Sequence, residues 1–164
     1  MKTSDTDSSA RHRILYVHNS ADLYGASRSL LRLLTALDRS RFEPTVVLPE
    51  TGPLAERLEG LGVDTVIDPS LAIISRYTSK VDAVFLRFLP SSWKLLRLIR
   101  RRKIDLVHTN SGVIFSPAFA AWLARVPHVW HIRESFDEFR GVAWQTYTAY
   151  MRTFSDRIIS VSTA

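Results

Sequence analysis

His131 closes the apolar run PHVWHI, and Arg133 and Glu134 come just after it. An imidazole at the carboxyl end of a buried strand can hydrogen-bond a hydroxyl or steady a developing charge. A carboxylate at the mouth of the same cleft suits the hydroxyls of a ligand. The plainer alternative is a histidine bonded to a backbone carbonyl beside a solvated Arg–Glu pair. The residues alone leave both readings open.

A second candidate lies in residues 13–37, RILYVHNSADLYGASRSLLRLLTAL. Ile14, Leu15, Tyr16 and Val17 form an apolar run, and Leu30, Leu31, Leu33, Leu34 and Leu37 recur at helical spacing. A strand that feeds a helix through the loop holding Gly25 and Ala26 brings backbone N–H groups and the positive end of a helix dipole together. That combination attracts phosphate. The loop has Gly25 alone. It therefore matches neither the G-x-G-x-x-G fingerprint nor the G-x-x-x-x-G-K-[ST] loop. The alternative is that Gly25 only lets the chain turn into the helix. Arg28, in the first helical turn, opposes the dipole there and is either solvated or held by an anionic partner.

The elements that must position these residues alternate along the chain. Strands are expected at 13–19, 45–48, 63–67, 104–109, 128–132 and 157–161. Helices are expected at 26–37, 53–61, 92–103 (behind the breaker Pro90), 112–125 and 146–154. Strand–helix alternation means α/β: a doubly wound, Rossmann-like parallel sheet with helices on both faces. Ligands of such sheets bind beyond the carboxyl ends of the strands. Asn19 and Ser20, Pro49 and Glu50, Asn110 and Ser111, and Arg133 and Glu134 fall there. His18 and His108 precede those ends and are expected in sheet-packing positions. The sequence stops just after the sixth strand, with no helix to cover it, as a piece of a longer protein would.

The 164 residues hold 46% hydrophobic and 23% charged side chains, ordinary for one globular domain. The net charge of +6 favours an acidic partner. There is no cysteine, which excludes disulfides and thiolate metal sites. Residues 1–12 read as a disordered tail rather than a signal peptide. The uncharged stretch 111–124 is shorter than the roughly 20 residues a membrane span needs.

The strongest charge feature spans residues 83–104, which carry Arg87, Lys94, Arg97, Arg100, Arg101, Arg102 and Lys103 and no acid. On a helical wheel Leu95, Leu96, Leu98 and Ile99 share one side, and Trp93, Lys94, Arg97, Arg100 and Arg101 the other. A tryptophan among cations is the composition of a membrane-surface helix, with Phe85, Arg87 and Phe88 adding to it. The alternative is a solvated face with Trp93 packed on a neighbouring loop. Nucleic acid is not expected as a partner, because the cations cluster on one helix without a stacking motif.

Four segments in order resemble the N-terminal domain of family 4 glycosyltransferases of GT-B architecture. They are GASRSLLRLLTAL after strand one, KIDLVHTNS at strand four, PHVWHIRES at strand five and DRIISVSTA at the end. The resemblance spans residues 13–164 and implies one half of a two-Rossmann enzyme, the acceptor-side half, with the C-terminal donor domain missing. It implies retaining sugar transfer from a nucleotide sugar to a glycan or lipid-linked acceptor, with no metal and no further cofactor. In this resemblance Gly25 and Ala26 match the loop near the donor diphosphate, although relatives often have Gly-Gly where this chain has Tyr24-Gly25. His131 matches the histidine near the transferred sugar, and Asn110 falls where many relatives carry a polar residue at the cleft wall. Asn19, Asn110, Ser111, Arg133 and Glu134 are the expected acceptor cleft. The expected location is cytoplasmic, peripheral at the inner membrane face. The competing expectation is a non-catalytic module of the same fold that docks on anionic surfaces.

Overall fold

The computed structural model describes residues 11–73, 81–133 and 142–160. Its strands are β1 (His12–Val17), β2 (Phe42–Leu48), β3 (Asp64–Ile67), β4 (Leu106–Thr109), β5 (His128–Ile132) and β6 (Arg157–Ser160). Its helices are α1 (Gly25–Ala36), α2 (Pro53–Gly60), α3 (Val81–Arg102), α4 (Ser116–Ala124) and α5 (Val142–Phe154). All six strands pair in parallel, in the order β3-β2-β1-β4-β5-β6. The strand order reverses between β1 and β4, which opens a crevice at their carboxyl ends.

Period-two alternation sorts the side chains of β1 to two faces. Leu15 and Val17 pack with Leu95, Leu96 and Ile99 of α3 and with Ala120 and Ala121 of α4. Ile14 and Tyr16 pack with Leu30 and Leu34 of α1 and with Leu54 and Leu58 of α2. The helical leucines recur every three or four residues, so one stripe of each helix is buried. Truncating any of the fully buried leucines should cost about 2–5 kcal/mol.

Two glycines answer to geometry. Gly62 has φ +65° just past α2, the left-handed position that ends many helices. At Gly52 an added Cβ would stand 2.9 Å from the Ala21 carbonyl oxygen. That same oxygen accepts the Leu54 N–H at 2.9 Å, which ties the start of α2 to the loop after β1.

Aromatic packing holds the loop after β4 from behind. Trp130 and Met151 are buried with Phe115, Tyr147, Tyr150 and Phe154 around them. Trp130 Nε1 donates to the Ser111 carbonyl at 2.7 Å, Tyr147 to Gly112 at 2.7 Å and Tyr150 to Phe115 at 2.8 Å.

The structure departs from the sequence expectation in several places; α4, for one, starts at Ser116 rather than 112. Arg11 and His12 are not tail, because β1 begins at His12 and Arg11 pairs with Glu43. Pro90 does not break a helix, for α3 runs through it for 22 residues. Its ring lies on the solvent face, where the carbonyl that loses its partner, on the exposed Leu86, can turn to water. Gly25 is the first residue of α1 rather than a loop residue before it. Residues 1–10, Glu134 and 161–164 lie outside the described residues.

Candidate functional site

At the carboxyl ends of β1, β4 and β5, alternation brings one set of polar side chains to the α1 side of the sheet. The register sets Tyr16 beside His108 and His108 beside Val129. Two residues further along each strand come His18, Asn110 and His131, and Arg133 follows. His18 is fully buried and its Nε2 lies 2.9 Å from Ser27 Oγ, on α1. Ser27 Oγ donates to Asp22 Oδ1 at 2.9 Å, and the Tyr24 N–H donates to the same oxygen at 2.9 Å. On its other side His18 Nδ1 sits 3.2 Å from both Asn110 Nδ2 and the Asn110 carbonyl. Asn110 Oδ1 accepts from Arg133 Nε at 2.9 Å, and Arg133 Nη2 reaches His131 Nδ1 at 3.4 Å. The chain of contacts thus runs from the loop after β1, through β4, to the end of β5.

Donor and acceptor rules orient this chain. Asp22 is held below the usual carboxylate range. Burial pushes its pKa up, but the bonds from the Tyr24 N–H and the Ser27 hydroxyl outweigh that push. An ionised Asp22 only accepts, so the single Ser27 proton points to it and His18 Nε2 carries the proton that Ser27 Oγ receives. From the other end, the Arg133 guanidinium only donates. Asn110 Oδ1 must therefore face Arg133, and its amide nitrogen faces His18 Nδ1. Both side-chain ends are met by the Nε2–H tautomer of His18, in which the Asn110 carbonyl, also 3.2 Å from Nδ1, is a neighbour and not a hydrogen-bond acceptor of the ring.

His108 lies between Tyr16, tilted by 40° at a centroid distance of 5.0 Å, and His131, stacked on it at 5.7 Å. Its Nε2 is buried without a hydrogen-bond partner. Burial first, and then the charges of His131 and Arg133, push its pKa down to about 4, which keeps it a neutral wall behind His131. Among the described residues no group of three or more His, Asp or Glu converges as a metal site.

The start of α1 sits at this crevice. Tyr24 caps it without a side-chain hydrogen bond, and no acid occupies its first turn. An added Cβ at Gly25 would meet nothing within 4 Å. The fold itself therefore does not require a glycine there, and open space lies beside the first residue of the helix. Beside it a hollow of about 470 Å³ is lined by residues of the β1–α1 and β2–α2 loops, among them Asp22, Tyr24, Arg28, Glu50 and Gly52. Tyr24 stands at its rim, 79% exposed.

Of the residues singled out from sequence, His131, Arg133, Asn110, Gly25 and Ala26 come together here, the Ala26 carbonyl accepting from Asn110 Nδ2 at 3.5 Å. Asn110 and Ser111 do not line a cleft wall as expected. Both are 1% exposed, and the Asn110 amide is turned inward between His18 and Arg133. Asn19 follows β1 and is half-buried. His18 is buried as expected, yet it is the hub of the network rather than packing alone. Its place two residues after Tyr16, on the face that also receives His108 and Asn110, is the signal that marks it.

The cationic helix forms a separate surface. Leu86, Leu89 and Trp93 are 78%, 65% and 59% exposed, and Arg97, Arg100 and Arg101 continue the same face. Lys94 is drawn aside, bonding Asp68 at 3.3 Å and Ser70 at 2.9 Å, and Arg102 pairs with Asp64. Phe88 turns inward onto Phe119 and Tyr150. Among the described residues no helix is long and apolar enough to cross a membrane.

The sequence profile of Glycosyltransferase Family 4 matches residues 24–164. No curated protein matches the chain. Among solved structures, HepE from Anabaena, crystallised with UDP and glucose, is similar at a TM-score of 0.63 and 19% identity over 90% of this chain. MurG from Acinetobacter baumannii is similar at 0.64 and 15% identity over 93% of it. A glycosyltransferase from Rickettsia africae is similar at 0.64 and 14% identity, also over 93%. The chain spans 38%, 42% and 37% of the lengths of those three proteins.

Proposed function

The chain belongs to Glycosyltransferase Family 4, and on that footing we propose that it is the acceptor-side half of a retaining glycosyltransferase. The enzyme moves a sugar from a nucleotide-sugar donor to a glycan or lipid-linked acceptor. The bond from the anomeric carbon to the donor diphosphate breaks, a bond to an acceptor hydroxyl oxygen forms on the same face, and the hydroxyl proton passes to the departing nucleoside diphosphate. A second Rossmann-like half, on the same polypeptide or another, completes the cleft and holds most of the donor.

One observation carries this reading: the start of α1, whose cap Tyr24 makes no side-chain hydrogen bond, lies at the same crevice as His131. The helix terminus, at Gly25 and Ala26, offers N–H groups and about half a positive charge to the diphosphate. His131 meets the sugar as a neutral imidazole and hydrogen-bonds one of its hydroxyls. The hollow between the β1–α1 and β2–α2 loops, with Arg28 and Glu50, together with Asn19, receives the acceptor. The similarity to a protein crystallised with UDP and glucose supports a nucleotide sugar as donor.

Leu86, Leu89, Trp93 and the arginines beyond them rest on an anionic membrane, at its cytoplasmic face, where a lipid-linked acceptor would be found. Apolar side chains enter the interface while arginines meet acidic headgroups, each contributing about 1 kcal/mol.

The test is label transfer from a panel of nucleotide sugars, with the chain alone and joined to its donor-side half. Transfer by the joined halves and none by the chain alone is expected. Transfer by the 164-residue chain alone would overturn the division of labour, and none by the joined halves with any donor would overturn the activity.

A further inference from the structure

Arg133 was expected among the residues that touch acceptor, but its guanidinium is committed elsewhere. It donates through Nε to Asn110 Oδ1 at 2.9 Å and through Nη2 toward His131 Nδ1 at 3.4 Å. We propose that Arg133 is a positioning residue, which fixes His131 as an Nε2–H donor and, through Asn110, locks His131 to the β1–α1 loop. The inference rests on the reading above that places His131 at the transferred sugar.

A guanidinium has donors and no acceptor. The ring nitrogen that faces it, Nδ1 of His131, therefore carries a lone pair, and the proton of the neutral ring sits on Nε2. His131 then acts as a hydrogen-bond donor toward an oxygen and not as a base through Nδ1. The stacked His108 ring, at an interplanar angle of 25°, holds the plane of the imidazole. The same guanidinium turns the Asn110 amide so that its nitrogen serves His18 Nδ1. His18 Nε2–H serves Ser27 Oγ, and Ser27 serves Asp22, whose second partner is the Tyr24 N–H at the start of α1. One side chain at the end of β5 thereby sets donor directions as far as the helix terminus proposed for the diphosphate.

An acceptor-binding arginine and a positioning arginine differ in what their loss does. Losing a contact made equally in ground and transition state raises KM, whereas losing the alignment of His131 lowers kcat. A lysine keeps the charge but has no Nε–H fork to serve two acceptors at once.

The experiment uses ¹⁵N-histidine NMR on this chain at about pH 8, well above the ordinary imidazole value near 6.5. His131 and His18 are expected as Nε2–H tautomers, with unprotonated Nδ1 atoms. In Arg133→Ala the Nδ1–H form of His131 should rise several-fold, and Arg133→Lys should not restore the wild-type pattern. Arg133→Met, of similar length and without donors, replaces alanine if that variant does not fold. In the joined enzyme, Arg133→Ala should lower kcat at least tenfold with acceptor KM within twofold. A wild-type His131 protonated on Nδ1, or a tautomer pattern indifferent to Arg133→Ala, overturns the proposal. A raised acceptor KM at unchanged kcat overturns it too, and returns Arg133 to acceptor binding. If the tautomers shift as expected while transfer ignores both Arg133→Ala and His131→Ala, the positioning stands and the placing of His131 at the sugar falls.

Discussion

The carboxyl end of the sheet and the outer face of α3 are both rich in cationic and hydrogen-bonding groups, and they treat those groups in opposite ways. At the sheet end His18, Asn110, Ser27 and His108 are buried, and His18, Asn110 and Arg133 are each fixed by at least two neighbours. On α3, Leu86, Leu89, Trp93 and three arginines stand in solvent, while the two cations that could tie that face down, Lys94 and Arg102, lean away to Asp68 and Asp64. Buried polar networks specify one arrangement because a misplaced member leaves a desolvated group unsatisfied. Exposed side chains adapt to a soft partner. The first design suits bond-making at a defined atom, and the second suits a fluid surface.

Acid should have the largest effect, through two buried histidines of the sheet: His108 beside the crevice and His128 at the amino end of β5. Burial, with a smaller push from His108, lowers the pKa of His128 to about 3, against a weaker upward pull from Asp156, and His108 is held at about 4. Both are neutral in the folded chain and protonate near 6.5 when it unfolds. Their contribution is therefore present above about pH 6.5 and lost as pH falls through about 4 and then about 3. Urea unfolding as a function of pH should show several kcal/mol lost across that window. His108→Phe or His128→Gln should flatten the curve, and an unchanged slope in both would show that neither histidine is buried neutral.

Next in size is His131→Ala in the joined enzyme. Removing a donor to the transition state costs about 2.7–4 kcal/mol, so kcat should fall by about 100- to 1000-fold with the melting temperature nearly unchanged. Equal loss of kcat from Trp93→Ser, assayed on a soluble acceptor, would erase the distinction between the two regions.

Two glycines at the same crevice offer a finer contrast. Gly52→Ala drives a Cβ to 2.9 Å from the Ala21 carbonyl and should cost about 1–3 kcal/mol in thermal unfolding. Gly25→Ala meets open space and, in a helix, should be neutral or stabilising by up to about 1 kcal/mol. Its cost should appear only as weaker binding of nucleotide sugar to the joined enzyme. A destabilised Gly25→Ala would mean that the glycine serves the fold and not a ligand.

The smallest effect belongs to α3. Changing Arg97, Arg100 and Arg101 to Ser should leave stability within about 0.5 kcal/mol, as for other exposed positions. Co-sedimentation with acidic liposomes should drop by about 1 kcal/mol per cation and weaken in high salt for the wild type. Wild-type chain that ignores acidic liposomes at low salt would make this a plain solvated face.

Much of this was legible in the sequence, and the reasons differ by feature. The sheet could be read because buried parallel strands are short apolar runs between helical periods, and β5 falls at the expected 128–132. His131 could be read because it ends such a run. The direction of Asn110 could not, since it depends on Arg133 across 23 residues of sequence. His18 looked like packing because its partner Asn110 becomes a neighbour only once β4 lies beside β1, and Ser27 only once α1 folds back onto β1. Pro90 misled because a helix tolerates proline where its free carbonyl faces water, and exposure is a tertiary property.

The central claim is that the crevice at β1, β4 and β5 is one wall of a sugar-transfer site. Its most direct test is to follow the anomeric carbon of a ¹³C-labelled nucleotide sugar during reaction with acceptor lipids and the joined enzyme. Label is expected in the acceptor with the donor's anomeric configuration kept, at a rate that collapses in His131→Ala. Label released only to water, transfer with inversion, or an unchanged rate in His131→Ala would contradict it.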